Sequence, residues 1–272
     1  MELSSKYVGT LLQDHRALIT WRETMNCVAA TRPVLAHIDH YLGESDFLRE
    51  ILLTLIHYSE DIVLSRPVRP GDSRTIKGMV AAILPHTAGT QIIIRFDAGN
   101  HRGVIVFTEH IGGLLRGVRC SDVGRGGNIL PRVATSETEK ASLWQTVIPV
   151  DRLRSFVDDG CTNIVFPIHT SKQIACAAGL PDIILQGTAT LAFPLRDIIN
   201  TETQGDTGRL DTLTCRFSGM VSPGTDRDRR TTCREASAEG PHRALFRSPE
   251  RCKKQGNQQG VYLSEKSMSE MA

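Results

Sequence analysis

The feature that most constrains the fold of this chain is a doubling of its sequence landmarks. "ITWRETMNCVAA" (19–30) and "IPVDRLRSFVDD" (148–159) each show a short β-like stretch that leads into a helical pattern. "SRPVRPGDS" (65–73) and "RFSGMVSPGTD" (216–226) each contain a Pro-Gly pair, which is typical of a turn between strands. The repeated order predicts two related units in one chain.

The two copies differ in length between these landmarks. Ile19 and Ile148 are 129 positions apart, whereas Pro70 and Pro223 are 153 positions apart. The second copy therefore holds about two dozen additional residues between its landmarks, and His169 lies among them.

Charge is distributed unevenly along the chain. The net charge of the 272 residues is +2, but residues 226–272 hold ten Lys and Arg against seven Asp and Glu. The preceding residues are therefore close to neutral, and a neutral body lacks the positive surface that binds nucleic acid. The sequence predicts no nucleic-acid partner, and 272 residues suffice for one large or two medium domains.

Cysteine usage and hydropathy favour a soluble intracellular protein. The seven cysteines form no CxxC pair, which is typical of reduced thiols rather than of a disulfide framework. The chain shows no signal-peptide pattern and no apolar run of about 18 residues, so we expect no membrane partner. Its last residues, "SEMA", favour the cytoplasm over the peroxisome.

The sequence also predicts neither a metal nor a cofactor. "HIDH" (37–40) contains two histidines, but no further group of ligand-type residues has a suitable spacing. "GRGGN" (124–128) lacks the Lys-Ser/Thr pair of a phosphate loop. We interpret both as loop segments.

Local patterns in the first half predict a helix followed by an antiparallel meander. Residues 45–59 place apolar side chains at helical spacing behind a Ser45 cap. Three later stretches, rich in Ile and Val and separated by turn residues, are typical of strands: 73–84, 89–99 and 102–118. A helix wrapped by a curved sheet is the predicted unit.

The second half predicts two helices beside His169. Thr170 and Gln173 stand at capping-box spacing, and Gly179 with Pro181 ends the first helix. The next helix is expected to begin at Thr188 after Gly187 and to kink at Pro194. Residues 210–221 alternate as a strand.

After residue 225 the regular pattern stops. Residues 226–272 show no periodicity, few large apolar residues and many charges, so we expect a basic tail of low order. Either the second sheet is short of strands, or the tail is not the sequence with which this fold evolved. The predicted boundaries are 1–120, a glycine-rich linker over 121–142, a second unit over 143–225, and the tail.

The residues around His169 resemble a known family. "FPIHT", "AAGLPDIILQGTATLA" and "RFSGMVSPGT" are similar to the hydratase half of the MaoC-like family, the (R)-specific enoyl-thioester hydratases and dehydratases. The doubled layout is similar to the fused double hot-dog members, in which one half keeps the site and the other widens the acyl tunnel. The resemblance covers residues 5–225. It implies an α+β double hot-dog fold, with two curved antiparallel sheets that each wrap a central helix.

The family motif reads Asp-x-Asn-Pro-(aliphatic)-His, and its Asp and His hold a water at the β-carbon of a thioester. Pro167, Ile168 and His169 match this motif, whereas Ile164 stands at the Asp position and Phe166 at the Asn position. An isoleucine neither takes up a proton nor orients water. By the resemblance, His169 is the acid or base; without it, the alternative is a histidine that only caps a turn.

Further residues of the site follow from the resemblance. The Gly187 N–H is expected to polarise the thioester oxygen as an oxyanion hole, with Gln186 where a histidine is common and Thr188 beside it. We predict that Asn163 acts with His169 in place of the missing carboxylate.

The other nearby polar residues are Thr162, Asp158 and Asp159, and a local bulge could turn Asn163 or Asp159 toward the site.

The resemblance implies a lyase that hydrates, dehydrates or isomerises an enoyl or 3-hydroxyacyl thioester, in polyketide or fatty-acid-type biosynthesis. Its partner would be an acyl-CoA or an acyl-carrier-protein thioester, and a homodimer stays open. The alternative is a non-catalytic hot-dog protein that binds acyl groups or a partner subunit. A third alternative is a defective product whose tail leaves the second unit unfinished.

Overall fold

The structure is a computed structural model of the chain. It describes residues 1–19, 55–130, 144–162, 166–217, 219–224, 229–233, 243–247 and 259–265, the last three segments and Gln145 as backbone only. The chain divides into two compact units, Met1–Arg132 and Val133–Ala272.

The first unit is built on a five-stranded antiparallel sheet. Its strands are β2 (His15–Leu18), β3 (Leu55–Leu64), β4 (Ser73–His86), β5 (Gly89–Gly99) and β6 (Ile105–Arg116). Within the sheet they lie in the order β2-β4-β5-β6-β3. The long strands follow the predicted runs of Ile and Val, whose branched side chains fit a pleated surface. One face carries an apolar core that includes Ile94, Phe96 and Ile111.

The helix predicted over 45–59 is wrong at its C-terminal end. Leu55 and Ile56 belong to strand β3 and pair with Leu115 and Leu114 of β6. Both faces of β3 are partly buried, so its apolar residues do not alternate clearly and imitate helical spacing. The remainder of that predicted helix lies outside the described residues, as does the "HIDH" segment.

The first ten residues of the predicted linker belong to the first unit. The Asp122 carboxylate accepts two hydrogen bonds, one from the N–H of Ser5 and one from the N–H of Gly124, each at 2.9 Å. Arg125 forms a β-bridge with Ile83. Strand β7 (Arg119–Cys120) pairs with β1 (Glu2–Leu3) at the same end. The first compact unit thus extends to Arg132, within the segment that the sequence predicts as a linker.

The second unit repeats the topology of the first. Its strands are β8 (Trp144–Ile148), β9 (Leu210–Arg216), β10 (Arg229–Cys233), β11 (Arg243–Arg247) and β12 (Gln259–Glu265). They lie in the order β8-β10-β11-β12-β9, all antiparallel. Counted along each unit, both sheets have the strand order first, third, fourth, fifth, second. The doubling of sequence landmarks thus reflects a doubling of the fold.

Three short strands lie within residues 226–272, for which the sequence predicts a basic tail of low order. Strands β10, β11 and β12 lie in that tail and complete the second sheet. They are five to seven residues long and carry many charges, so they give no clear pattern on their own. Strand β10 pairs with β8 and strand β12 pairs with β9, both distant in sequence. Because this pairing stabilises the strands, their local sequence alone does not predict them.

Three helices of the second unit lie between β8 and β9. They are α1 (Arg154–Thr162), α2 (Lys172–Ala177) and α3 (Gly187–Glu202). Helix α3 continues through Pro194, and a proline there leaves the carbonyl of Thr190 without its helical N–H donor. Among the described residues, no helix is long and apolar enough to cross a bilayer.

Two glutamates are buried in the sheet of the first unit. Glu60 of β3 is 1% exposed and Glu109 of β6 is 0% exposed. A register shift between His57 and Ser59 puts His57 on the same face, because it introduces one extra residue into the alternation. The Nε2 atom of His57 lies 2.8 Å from Oε2 of Glu60. Burial raises the pKa of Glu60 to about 7 and that of Glu109 well above its ordinary value, and burial lowers the pKa of His57 to about 4.

This cluster predicts that the first unit loses stability in alkaline solution. A carboxyl whose pKa is raised by folding stabilises the fold fully below its unfolded pKa, near 4.3, and loses that contribution as pH rises through the folded value. His57 acts oppositely, but only below about pH 6.5. We expect the free energy of unfolding to fall by about 1–2 kcal/mol between pH 6 and pH 8. Chemical denaturation at the two pH values measures this difference.

Glu109→Gln removes one of the two buried carboxyls and is expected to make the fall smaller. Glu2→Gln, at an exposed position, is the control and should leave the fall unchanged. A wild-type protein whose stability is equal at pH 6 and pH 8 would show that the buried pair is not protonated in the folded state.

Candidate active site

His169 lies at the end of a short 3-10 helix, Pro167–His169, that precedes α2. Pro167 at its first position has the backbone angle that a helix start requires. The cap of α2 is Ser171, whose side chain accepts a hydrogen bond from the N–H of Ile174 at 3.4 Å. The predicted cap at Thr170 is therefore wrong by one residue, whereas Gly179 at φ 76° does end the helix.

The ring of His169 is buried and has a defined orientation. It is 9% exposed, and its Nδ1 atom lies 2.8 Å from the carbonyl oxygen of Ile184. A carbonyl only accepts hydrogen bonds, so Nδ1 carries the proton and Nε2 of the neutral ring is left as an acceptor. Burial lowers the pKa of His169. The ring is thus neutral at pH 7 and suited to accept a proton at Nε2.

Helix α3 begins at Gly187, one residue before the predicted start at Thr188. Gln186 is its N-terminal cap, Gly187 its first residue and Thr188 its second. The N–H groups of a first helical turn have no carbonyl partner within the helix, and the helix dipole gives this end a partial positive charge. The Thr190 N–H is the first to bond back into the helix, to the Gln186 carbonyl at 3.0 Å. The N-terminus of α3 can therefore stabilise a developing oxyanion.

The predicted binding residues lie close to His169 because a short segment joins them. Ile184, which accepts the His169 hydrogen bond, is three residues before Gly187, and three residues extend over at most roughly 10 Å. Gln186 is buried, and its amide donates to the Ser155 carbonyl at 2.9 Å. Within the described part of the chain, Gln186 Oε1 and Thr188 Oγ1 are buried without a hydrogen-bond partner. Unsatisfied acceptors at this point favour a site for a polar ligand.

The structure places the remaining predicted residues as follows. Phe166 packs beside the site, with its ring centroid 6.1 Å from that of His169. Asn163 and Ile164 lie outside the described residues, so the role of Asn163 stays a prediction. Asp158 and Asp159 lie on α1, and the negative charge of Asp159 acts to raise the pKa of His169 against the larger effect of burial.

One feature of the site was not predicted. Ser155, fully buried on α1, donates from Oγ to the Ile184 carbonyl at 3.3 Å and accepts from Gln186. Its spacing of four residues from Asp159 is the sequence signal that would have indicated a polar helix face. In the first unit, the His57–Glu60–Glu109 cluster was not predicted either, although Phe107, Glu109 and Ile111 alternate in a way that places Glu109 on the core face.

Across the residues that the structure describes, no group of three or more His, Cys, Asp or Glu side chains is placed to hold a metal ion.

Comparison with known proteins gives matches in sequence and in fold. A family model described as "MaoC like domain" matches residues 161–242, which include His169, helix α3 and strand β10. The chain is 25% identical over 182 residues to "Enoyl-CoA hydratase ChsH3" of Mycobacterium tuberculosis, covering 64% of this chain and 59% of that protein. The chain thus spans about three fifths of the length of this relative. The predicted resemblance to MaoC-like proteins is confirmed.

Solved structures show the same fold over nearly the whole chain. A MaoC-like dehydratase from Phytophthora capsici superposes with a TM-score of 0.75 at 15% identity, covering 97% of this chain and 98% of that one. A Mycobacterium tuberculosis protein with a double hotdog fold gives a TM-score of 0.56 at 11% identity, covering 95% and 96%. The predicted α+β double hot-dog fold is confirmed.

Proposed function

We propose that this protein is a lyase that adds water to an enoyl thioester, or removes it from a 3-hydroxyacyl thioester, at His169. The observation that carries the proposal is the hydrogen bond from His169 Nδ1 to the Ile184 carbonyl. It leaves Nε2 as a proton acceptor, and Ile184, which receives the Nδ1 hydrogen bond, is three residues before the first N–H of α3. A base beside an oxyanion site is the pair of groups that addition of water to a thioester requires.

The proposed reaction in the direction of hydration balances on these groups. A water gives one proton to His169 Nε2 while its oxygen bonds to the β-carbon, and the electrons of the double bond move to the thioester oxygen. The N–H of Gly187 stabilises the resulting enolate. The imidazolium then returns its proton to the α-carbon as the thioester carbonyl re-forms. Dehydration is the reverse sequence.

The substrate would be a thioester of CoA or of an acyl-carrier protein, with the first unit housing the acyl chain, in polyketide or fatty-acid-type biosynthesis. The experiment incubates the full chain with crotonyl-CoA and with longer enoyl thioesters. Loss of enoyl-thioester absorbance with formation of the 3-hydroxyacyl product is expected. Intact substrate after prolonged incubation with folded protein would contradict the proposal.

A second candidate function is non-catalytic binding of acyl groups. Phe166 favours it, because the ring packs beside His169 where the related motif has an asparagine. Calorimetric titration with the same thioesters separates the two. Binding without turnover would support the second candidate.

The contribution of the helix N-terminus predicts the effect of Gly187→Pro. Proline is well tolerated at the first residue of a helix, and the ψ of 139° at Gln186 suits a residue that precedes proline. The substitution removes one N–H and leaves the helix in place. We expect kcat to fall by about 10²–10³-fold. Steady-state hydration assays measure kcat, and a thermal melt checks that the fold is retained. An unchanged kcat would show that the Gly187 N–H has no part in the mechanism.

A further inference from the structure

We propose that Asp159 of helix α1 supplies the carboxylate that the sequence around His169 lacks, and that it holds the reacting water together with His169. This inference rests on the proposed function. The position at which the related motif has its aspartate is Ile164, so the site needs an acceptor from another element. Helix α1 is the element that the structure places beside it.

The placement of Asp159 follows from the contacts of Ser155. Ser155 is fully buried, and its Oγ donates to the Ile184 carbonyl, the oxygen that also accepts from His169. Asp159 is four residues further along the same helix, so it lies on the same face, one turn or about 5.4 Å away. Ser155 and His169 both donate to the Ile184 carbonyl, and the helix face that carries Ser155 also carries Asp159.

Asp159 has acceptor capacity that the folded protein leaves unused. Its Oδ1 atom is buried, and so is Oδ2 of Asp158; neither has a hydrogen-bond partner in the described part of the chain. A buried carboxylate oxygen without a hydrogen-bond partner carries an uncompensated desolvation cost. A bound water that donates to Asp159 would remove that cost.

The electrostatics agree with this placement. Burial lowers the pKa of His169, whereas the hydrogen bond to Ile184 and the charge of Asp159 act to raise it. Burial, and then the charge of Asp159, raise the pKa of Asp158 to about 6, while Arg154 acts to lower it. Asp159 is therefore the charge that influences both Asp158 and His169.

The chemical role of Asp159 completes the reaction given above. The water donates one hydrogen to His169 Nε2 and the other to the Asp159 carboxylate, so that an oxygen lone pair points to the β-carbon. Asp159 takes up no proton, and its charge stabilises the imidazolium until the α-carbon is protonated. No group beyond water and the thioester is consumed.

The experiment compares Asp159→Asn with the wild-type protein by two measurements. We expect kcat for hydration to fall by about 10–10³-fold, since an amide holds water less well and does not stabilise an imidazolium. In the free protein, NMR titration of the His169 ring should show a lower pKa in Asp159→Asn, because a negative neighbour has been removed. A residue with a purely structural role would leave the His169 titration unchanged.

Matched variants keep the result interpretable. Asp182→Asn removes an exposed carboxylate of the same unit and should change neither measurement. Ile164→Asp, introduced into Asp159→Asn, restores a carboxylate at the position of the related motif and should recover part of kcat. If Asp159→Asn does not fold, Asp159→Glu keeps the charge and should lower kcat while the His169 pKa stays near its wild-type value.

The inference and the proposed function fail in different ways. An unchanged kcat and an unchanged His169 titration in Asp159→Asn would overturn the role of Asp159, above all if Asn163→Ala abolished turnover. A wild-type protein without hydration activity would refute the proposed function. In that case a His169 pKa that does not respond to Asp159→Asn would also refute the pairing.

Discussion

His169→Ala is expected to lower kcat for hydration of an enoyl thioester by about 10²–10⁴-fold, the usual contribution of a positioned acid or base. The substitution removes Nε2, the atom that accepts the proton of the water. It should not unfold the second unit, because the Ile184 carbonyl still accepts a hydrogen bond from Ser155. Steady-state assays with crotonyl-CoA at pH 7, together with a thermal melt, measure both effects.

His101→Ala makes the same change in an exposed turn of the first unit and is the control. It should retain the wild-type kcat. If His169→Ala kept the wild-type kcat as well, His169 would be a buried residue that only orients the segment before α3. The site assignment would then be wrong.

The second large effect concerns the C-terminal strands. Removal of residues 226–272 takes away β10, β11 and β12, three of the five strands of the second unit. Strand β8 then loses its partner β10, and β9 loses its partner β12. We expect the shortened protein to lose the cooperative unfolding of the second unit and all hydration activity. A sheet reduced to separated strands cannot satisfy its backbone hydrogen bonds or bury its apolar face.

Differential scanning calorimetry of the full chain and of residues 1–225 measures this. Removal of residues 266–272 alone, which follow β12, is the matched control and should leave the transition unchanged. Equal solubility and equal cooperative melting of the full chain and residues 1–225 would contradict the completed second sheet. That outcome would restore the interpretation of the tail as an addition without a structural role.

The fold was predictable where local chemistry decides the structure. Strands β4, β5 and β6 follow continuous runs of β-branched residues, and the start of α3 follows a glycine before an apolar helical pattern. Strands β10 to β12 were not predictable in this way, because their stability comes from pairing with strands distant in sequence. Leu55 and Ile56 illustrate the opposite error, since an apolar spacing that fits a helix also fits a strand with two partly buried faces.

The candidate site also has one part that local sequence predicts and one part that depends on distant contacts. Two short segments carry recognisable patterns, and roles could be proposed from the sequence for the residues in them: His169, Gln186, Gly187 and Thr188. The contribution of α1 could not, because it depends on Ser155 packing against Ile184, 29 residues away. In the sequence, Asp159 is one of several polar residues near His169. The contact between Ser155 and Ile184 shows which face of α1 is turned toward the segment that holds His169, and Asp159 lies on that face.

The measurement that tests the central claim most directly is incubation of the full chain with an enoyl thioester in D₂O, followed by mass spectrometry of the intact thioester. The proposed mechanism predicts a 3-hydroxyacyl thioester that carries one non-exchangeable deuterium at the α-carbon, because the proton returned by His169 comes from solvent. Unchanged enoyl thioester bound to the protein, or hydrolysis to a free thiol and an acid, would contradict it.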